Sequence, residues 1–255
     1  MVKNILKDMF KQGKPALGTW ITVGNQDITE VAATVGFDYL VFDTEHAPLT
    51  NETVQRLMQV TGNKIVPLVR VAWNDQVLIK LALDIGAYGL IIPLVNSKED
   101  AIKAVSSAKY PPIGTRGIGP RRASNYYQAF SDYVKSADTE VMVIIQIEHV
   151  DAVKNLDEIL SVKGIDAIFI GPADLTASMG LLGKYDDPRV IAIINEILEK
   201  AKQSKVIAGI HTFGPEDAAK RIKQGFQLII VGTDVGFFIQ GCKETVNRIK
   251  ELTEH

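Results

Sequence analysis

The 255-residue sequence predicts an α/β fold of the (β/α)8 barrel class, and three observations carry that reading. The chain holds eight short apolar runs that are nearly continuous rather than alternating, the pattern of strands buried on both faces of a parallel sheet. Amphipathic stretches with helical spacing separate them. The glycine fingerprint of a doubly wound nucleotide-binding sheet is missing: GNQD follows the first run, and neither GxGxxG nor GxxxxGK[ST] occurs.

The runs are ALGTWITV (16–23), YLVFDTE (39–45), IVPLVRV (65–71), GLIIPLV (89–95), VMVIIQIE (141–148), IDAIFIG (165–171), VIAGIHTF (206–213) and LIIVGTD (228–234). Helical patterns cover 28–35, 54–61, 77–84, 100–108, 152–160, 190–201, 216–223 and 235–252, and a short amphipathic helix precedes the first strand. Most strand starts fall roughly 22–28 residues apart, with a longer gap between the fourth and fifth. Eight βα units in about 250 residues make a barrel. No linker interrupts them, so residues 1–255 are expected to form one domain.

Bulk composition narrows the partners. The chain is 46% hydrophobic, with 28 basic and 30 acidic residues and a net charge of −2, which gives no attraction to nucleic acid or an anionic membrane. No window approaches 18 uncharged apolar residues, and the charged N-terminus lacks a signal-peptide core. One cysteine, Cys242, excludes an internal disulfide and fits a cytoplasmic protein. Placed in a helix, it reads as a packed residue rather than a nucleophile.

Barrel chemistry sits at the C-terminal ends of the strands. There the sequence places Asp43, Glu45 and His46 (strand two), Arg70 (three), Gln146 and Glu148 (five), Asp174 (six), His211 and Thr212 (seven), and Thr233 and Asp234 (eight). The opposite ends are plain. Glu148 and Asp174 lie one βα repeat apart, so they should stand on neighbouring strands, with Gln146 on the same face as Glu148. Two carboxylates at a barrel mouth, completed by water and substrate oxygens, suit a hard divalent ion such as Mg²⁺ or Mn²⁺. A proton shared between them is the alternative. There is no zinc-spaced Cys/His cluster, and His149, which points the other way from Glu148, reads as a helix-start residue. In FIGPADL, the N–H groups of Ala173 and Asp174 beside Gly171 lie where a strand turns into a helix and can receive a carboxylate. Arg70 can grip the same anion. The set describes a site for a 2-oxo acid.

The segments GFDYLVFDTEHAP (36–48), VPLVRVAWND (66–75), LDIGAYGLIIP (83–93), YPPIGTRGIG (110–119), IIQIEH (144–149) and GPADLTASMG (171–180) resemble the HpcH/HpaI aldolase family, over nearly the whole chain. These are class II, metal-dependent pyruvate aldolases. They cleave 4-hydroxy-2-oxo acids, 2-keto-3-deoxy sugar acids among them, to pyruvate and an aldehyde through a metal-bound pyruvate enolate. The resemblance implies that Glu148 and Asp174 are the metal ligands, with Gln146 beside them and Co²⁺ or Zn²⁺ as further candidate ions. It implies that Arg70 stabilises the enolate and that His46 is the general base, directly or through a metal-bound water, with Asp43 as its partner. Asp84 is implied to reach the site of a neighbouring subunit. A homohexamer that exchanges its C-terminal helix is implied as well.

Rival readings follow from what the strand ends carry. A Schiff-base aldolase needs a lysine at one of these ends, and there is none. In VGTDVGFF, Asp234 stands among the glycines that would otherwise cradle a phosphate. An acyl-CoA lyase of the citramalyl- or malyl-CoA type and a catalytically silent 2-oxo-acid-binding barrel are the remaining alternatives. The long connection PPIGTRGIGPRRASNYY, with Arg116, Arg121 and Arg122, is expected to overhang the site, either as a solvated basic loop or as a lid.

Overall fold

The structure is a computed structural model that describes residues 3–62 and 64–253. Eight parallel strands close into a barrel in sequence order: β1 (Ala16–Ile21), β2 (Tyr39–Asp43), β3 (Val66–Arg70), β4 (Gly89–Ile92), β5 (Met142–Ile147), β6 (Ala167–Ile170), β7 (Ile207–Thr212) and β8 (Leu228–Thr233). Each strand lies within its apolar run but stops one to three residues before the run does. Glu45, His46 and Glu148 therefore stand in loops just past β2 and β5 rather than in the sheet.

The helices are α1 (Ile5–Lys11), α2 (Gln26–Ala32), α3 (Asn51–Thr61), α4 (Gln76–Asp84), α5 (Lys98–Ala108), α6 (Phe130–Glu140), α7 (Val150–Lys154), α8 (Leu156–Leu160), α9 (Pro172–Ser178), α10 (Pro188–Gln203), α11 (Pro215–Gln224) and α12 (Asp234–Thr253). Short polar side chains start them, as helix termini require: Asn25, Thr50, Asp75, Ser97 and Asp187 each accept a hydrogen bond from the first turn that follows. His149 does the same through Nδ1 for α7, the helix-start role its position suggested. Two helices, α6 and α9, lie where the periodicity gave none. The pattern over 152–160 resolves into two short helices that meet at Asn155.

The barrel interior is filled by Tyr39, Val41, Leu68, Ile91, Met142, Ile144, Phe169, Leu228 and Ile230. Leu6 and Phe10 of α1 join that cluster and plug the end away from the strand C-termini. Tyr39 crosses this space to donate to the Ile229 carbonyl at 2.7 Å. Its ring leaves no room at Gly18, where a Cβ would lie 2.3 Å from it, so only glycine fits β1 there. A second, larger apolar layer packs the helices on the outside of the strands. No helix among the described residues is long and apolar enough to cross a membrane.

Candidate active site

The mouth of the barrel is organised around Arg70. Asp43 and Arg70 end adjacent strands in register. Arg70 donates from Nε to Asp43 Oδ1 at 2.9 Å and from Nη2 to Oδ2 at 2.7 Å, a two-pronged ion pair. On its other side the guanidinium stacks on the indole of Trp20, 4.1 Å from the ring centroid. Glu45 Oε2 lies 3.2 Å from Arg70 Nε but receives no hydrogen bond, because that proton is aimed at Asp43.

Asp43 also shapes the loop after β2. Its Oδ1 accepts from the backbone N–H groups of Glu45 at 3.0 Å and His46 at 3.4 Å, the local turn bonding to which aspartate is suited. The implied partnership of Asp43 with His46 takes a main-chain form in the structure. The Asp43 carboxylate is consumed by Arg70 and the turn, and it meets His46 through the main chain. The carboxylate beside the imidazole is Glu45, with Oε2 3.7 Å from Nε2 of the exposed His46. The Glu45 carboxyl is pushed up to about 7, first by burial and then by the nearby charges of Glu148, Asp43 and Asp174, against the opposing pull of Arg70.

Glu148 follows β5, and Asp174 lies in the first turn of α9, which follows the neighbouring strand β6. Glu148 is 5% exposed. Its Oε1 accepts from the Leu94 backbone N–H at 2.8 Å, and its Oε2 accepts from the Gln146 side-chain amide. Gln146 Oε1 is buried without a partner. A buried carboxylate with only neutral donors, next to an orphaned carbonyl oxygen, is a donor set of hard oxygens that fits a divalent cation. Gly171 keeps the approach open, since a Cβ there would sit 3.6 Å from both Glu148 Oε2 and Gln146 Nε2. Among the described residues there is no group of three or more His, Cys, Asp or Glu side chains at ligand spacing, so two carboxylates would leave most of the shell to water and substrate. Gly171 precedes α9, Pro172 occupies its first turn, and no side chain caps it. The first-turn N–H groups of α9, those of Ala173 and Asp174 among them, therefore have no side-chain acceptor.

The opposite wall is aromatic. Trp20 donates from Nε1 to His211 Nδ1 at 3.2 Å and meets Phe169 edge to face. The His211 ring meets Phe213 edge-on at 5.1 Å between centroids, and Phe213 packs against Tyr185 at 4.4 Å. Burial, and then the charge of Arg70, lower His211 to about 4. The sequence reading gave no role to Trp20. Its parity with Gly18 and Thr22 along β1 was the signal that it faces inward.

Two further sequence expectations land elsewhere. Asp84 ends α4, away from the mouth of its own barrel, and its Oδ1 accepts from Arg116 Nη2 at 2.7 Å. The connection after α5 does not overhang the mouth. It runs down the outer flank of α4: Gln76 donates to the Thr115 carbonyl, Arg116 bonds to Asp84, and Arg122 donates to the Ile85 carbonyl at 2.6 Å. Arg116 is 1% exposed, held between the rings of Tyr110 and Tyr133, so it is part of the packing and neither solvated nor in a lid. Asp234 is likewise structural. It accepts from the Thr22 and Val23 N–H groups and the Thr22 hydroxyl, tying β8 to β1.

Known proteins resemble this chain in sequence and in architecture. The profile described as HpcH/HpaI aldolase/citrate lyase matches residues 16–241. The 5-keto-4-deoxy-D-glucarate aldolase of Citrobacter koseri is 36% identical over 98% of this chain and 100% of its own. The 4-hydroxy-2-oxo-heptane-1,7-dioate aldolase of Salmonella dublin is 37% identical over 97% of this chain and 95% of its own. Among solved structures, an HpcH/HpaI aldolase/citrate lyase family protein from Burkholderia cenocepacia superposes with a TM-score of 0.93 at 31% identity, covering 97% of this chain and all of that one.

Proposed function

The chain belongs to the HpcH/HpaI aldolase/citrate lyase family, and from that premise we propose that it is an aldehyde-lyase that reversibly cleaves 4-hydroxy-2-oxo acids to pyruvate and an aldehyde. The observation that carries the reading is one mouth that combines a fixed arginine, Arg70, with the buried oxygens of Glu148 and Gln146, which no cationic side chain contacts, and with the exposed carboxylate of Asp174 in the first turn of α9. In this reading Glu148 and Asp174 would hold a divalent cation, Mg²⁺ or Mn²⁺, with Gln146 next to it. When bound, such a cation supplies Lewis-acid polarisation of the 2-oxo group.

The chain's own residues do the rest. Gly171 gives the substrate room, and the N–H groups of Ala173 and Asp174 take its carboxylate. Asp43 holds Arg70 through Nε and Nη2 and leaves Nη1 for the 2-oxo oxygen. A base at His46 accepts the proton of the 4-hydroxyl. The O–H electron pair becomes the aldehyde C=O bond, the C3–C4 bond breaks, and its electron pair moves into an enolate whose oxygen faces Arg70. A proton returned to C3 gives pyruvate. Glu45, beside His46 Nε2, is the carboxyl placed to share that proton.

A homohexamer of single-domain cytoplasmic subunits is part of the same proposal. The support for association is α12, whose apolar residues Phe238, Ile239, Val246, Ile249 and Leu252 are exposed along a 20-residue helix, as a helix exchanged between subunits requires. Asp84 would then serve a neighbour's site. The test is pyruvate release from a panel of 4-hydroxy-2-oxo acids: pyruvate and aldehyde appear in equal amounts from at least one, whereas no pyruvate from any of them would overturn the reading.

A further inference from the structure

The Trp20–His211 bond fixes more than an orientation. An indole N–H can only donate. His211 Nδ1, 3.2 Å from Trp20 Nε1, must therefore be the bare, accepting nitrogen, and the neutral ring carries its proton on Nε2. A second proton on Nδ1 would set N–H against N–H, beside the charge of Arg70. Burial and Arg70 lower this imidazole to about 4, in the same direction. His211 pairs with Ile230 and shares strand parity with Ile207, so it belongs to the barrel-facing row of β7 and is its last member. Among the described residues nothing hydrogen-bonds to Nε2. The chain thus builds a neutral donor of fixed tautomer at the mouth and leaves it unused.

Its surroundings describe what it is for. Arg70 lies on the face of the Trp20 ring, while His211 hangs from the Nε1 edge. The imidazole is therefore displaced from the reacting oxygens by most of an indole. Next to it stand Phe213 and Tyr185, whose faces suit the C–H side of a carbon chain. A lone neutral donor set among aromatic rings reads hydroxyl groups, not carboxylates, which Arg70 and the α9 N–H groups already serve.

Resting on the aldolase reading above, we propose that His211 is a specificity-determining residue that donates from Nε2 to a hydroxyl on the substrate chain, and that the substrate class is polyhydroxylated 4-hydroxy-2-oxo acids. Of the two kinds of relative, the glucarate derivative named for one carries one hydroxyl beyond the reacting 4-hydroxyl, and the heptanedioate named for the other carries none.

The test compares kcat/KM for a hydroxylated sugar-acid substrate and a chain-deoxygenated 4-hydroxy-2-oxo dioate, in the parent, His211→Leu and His211→Gln. The parent should prefer the hydroxylated acid. His211→Leu should shrink that ratio at least tenfold, and His211→Gln, which keeps a side-chain N–H, should recover part of it. An equal loss on both substrates means a packing role, and an unaltered ratio means no contact; either overturns the proposal. Nitrogen-15 NMR of the histidines gives a readout apart from activity: the Nε2–H tautomer should persist at pH 6, and a polyhydroxylated product analogue should shift its Nε2 resonance. A protonated ring at pH 6, or an unmoved Nε2, also overturns it. No pyruvate from either substrate with a folded parent would instead remove the aldolase reading.

Discussion

Arg70 and Asp43 face each other across neighbouring strand ends through two parallel hydrogen bonds of 2.9 and 2.7 Å. That fork is set by the β2–β3 register and leaves the guanidinium little freedom, with Trp20 closing its other face. Lysine keeps the charge but cannot reproduce the fork or the stacking. Arg70→Lys should lower kcat roughly 10²–10³-fold, the loss typical of an oxyanion donor, with a smaller change in KM. Steady-state kinetics on any accepted substrate checks this, and a pure KM effect would remove Arg70 from the bond-breaking step.

Glu148→Gln keeps the shape of the site and deletes one anionic ligand. Mn²⁺ affinity, read by calorimetry on the substrate-free protein, should fall at least tenfold, in proportion to the charge lost. The variant should fold normally, because the Leu94 N–H still finds an oxygen acceptor. Affinity equal to the parent's would place the cation elsewhere.

Stability should depend on pH in two opposed ways. The His211 pKa is lowered in the fold from 6.5 to about 4, so between those values the unfolded chain binds a proton that the native one refuses. Its contribution is complete above pH ~6.5 and is lost as pH falls toward 4, up to about 3 kcal/mol. Glu45 is raised from 4.5 to about 7, so its contribution is present at low pH and is lost as pH rises through that window in the cation-free protein. Urea midpoints across pH 4–8 should show a shallower acid limb for His211→Leu and a flatter neutral limb for Glu45→Gln. Parallel curves for parent and variant would contradict the assignment.

The exposed apolar side of α12 should hold the oligomer together. A double change, Phe238→Glu with Ile249→Glu, adds charge to that side without touching the barrel, so it should convert the assembly to smaller species by sedimentation while far-ultraviolet dichroism is retained. If Asp84 serves a neighbour, activity should fall with assembly. Dissociation with full activity would confine the site to one subunit.

Much of this was legible in the sequence because parallel strands buried on both faces leave apolar runs that few other structures produce. The strand ends then name Arg70, Gln146, Glu148 and Asp174. The runs overshoot because residues such as Val71 and Val95 continue into loops that are buried too. The helix α6 leaves no periodic signal because FSDYVKSADTE buries only Tyr133 and Ala137, too few to mark a period. Partner choice was the harder matter. Asp43 selects Arg70 over the His46 ring because strand register brings the guanidinium closer, and the Trp20–His211 bond joins positions 191 residues apart. The path of the arginine-rich connection is fixed by side-chain bonds to α4 that no local pattern announces.

The central claim is that this mouth forms and stabilises a pyruvate enolate. The most direct measurement is exchange of the pyruvate methyl protons for deuterium, followed by NMR with no aldehyde present. The account predicts exchange catalysed by the parent, abolished by EDTA, restored by Mg²⁺ or Mn²⁺, and reduced at least a hundredfold in Arg70→Lys. Exchange that survives chelation, or that Arg70→Lys leaves intact, would contradict it.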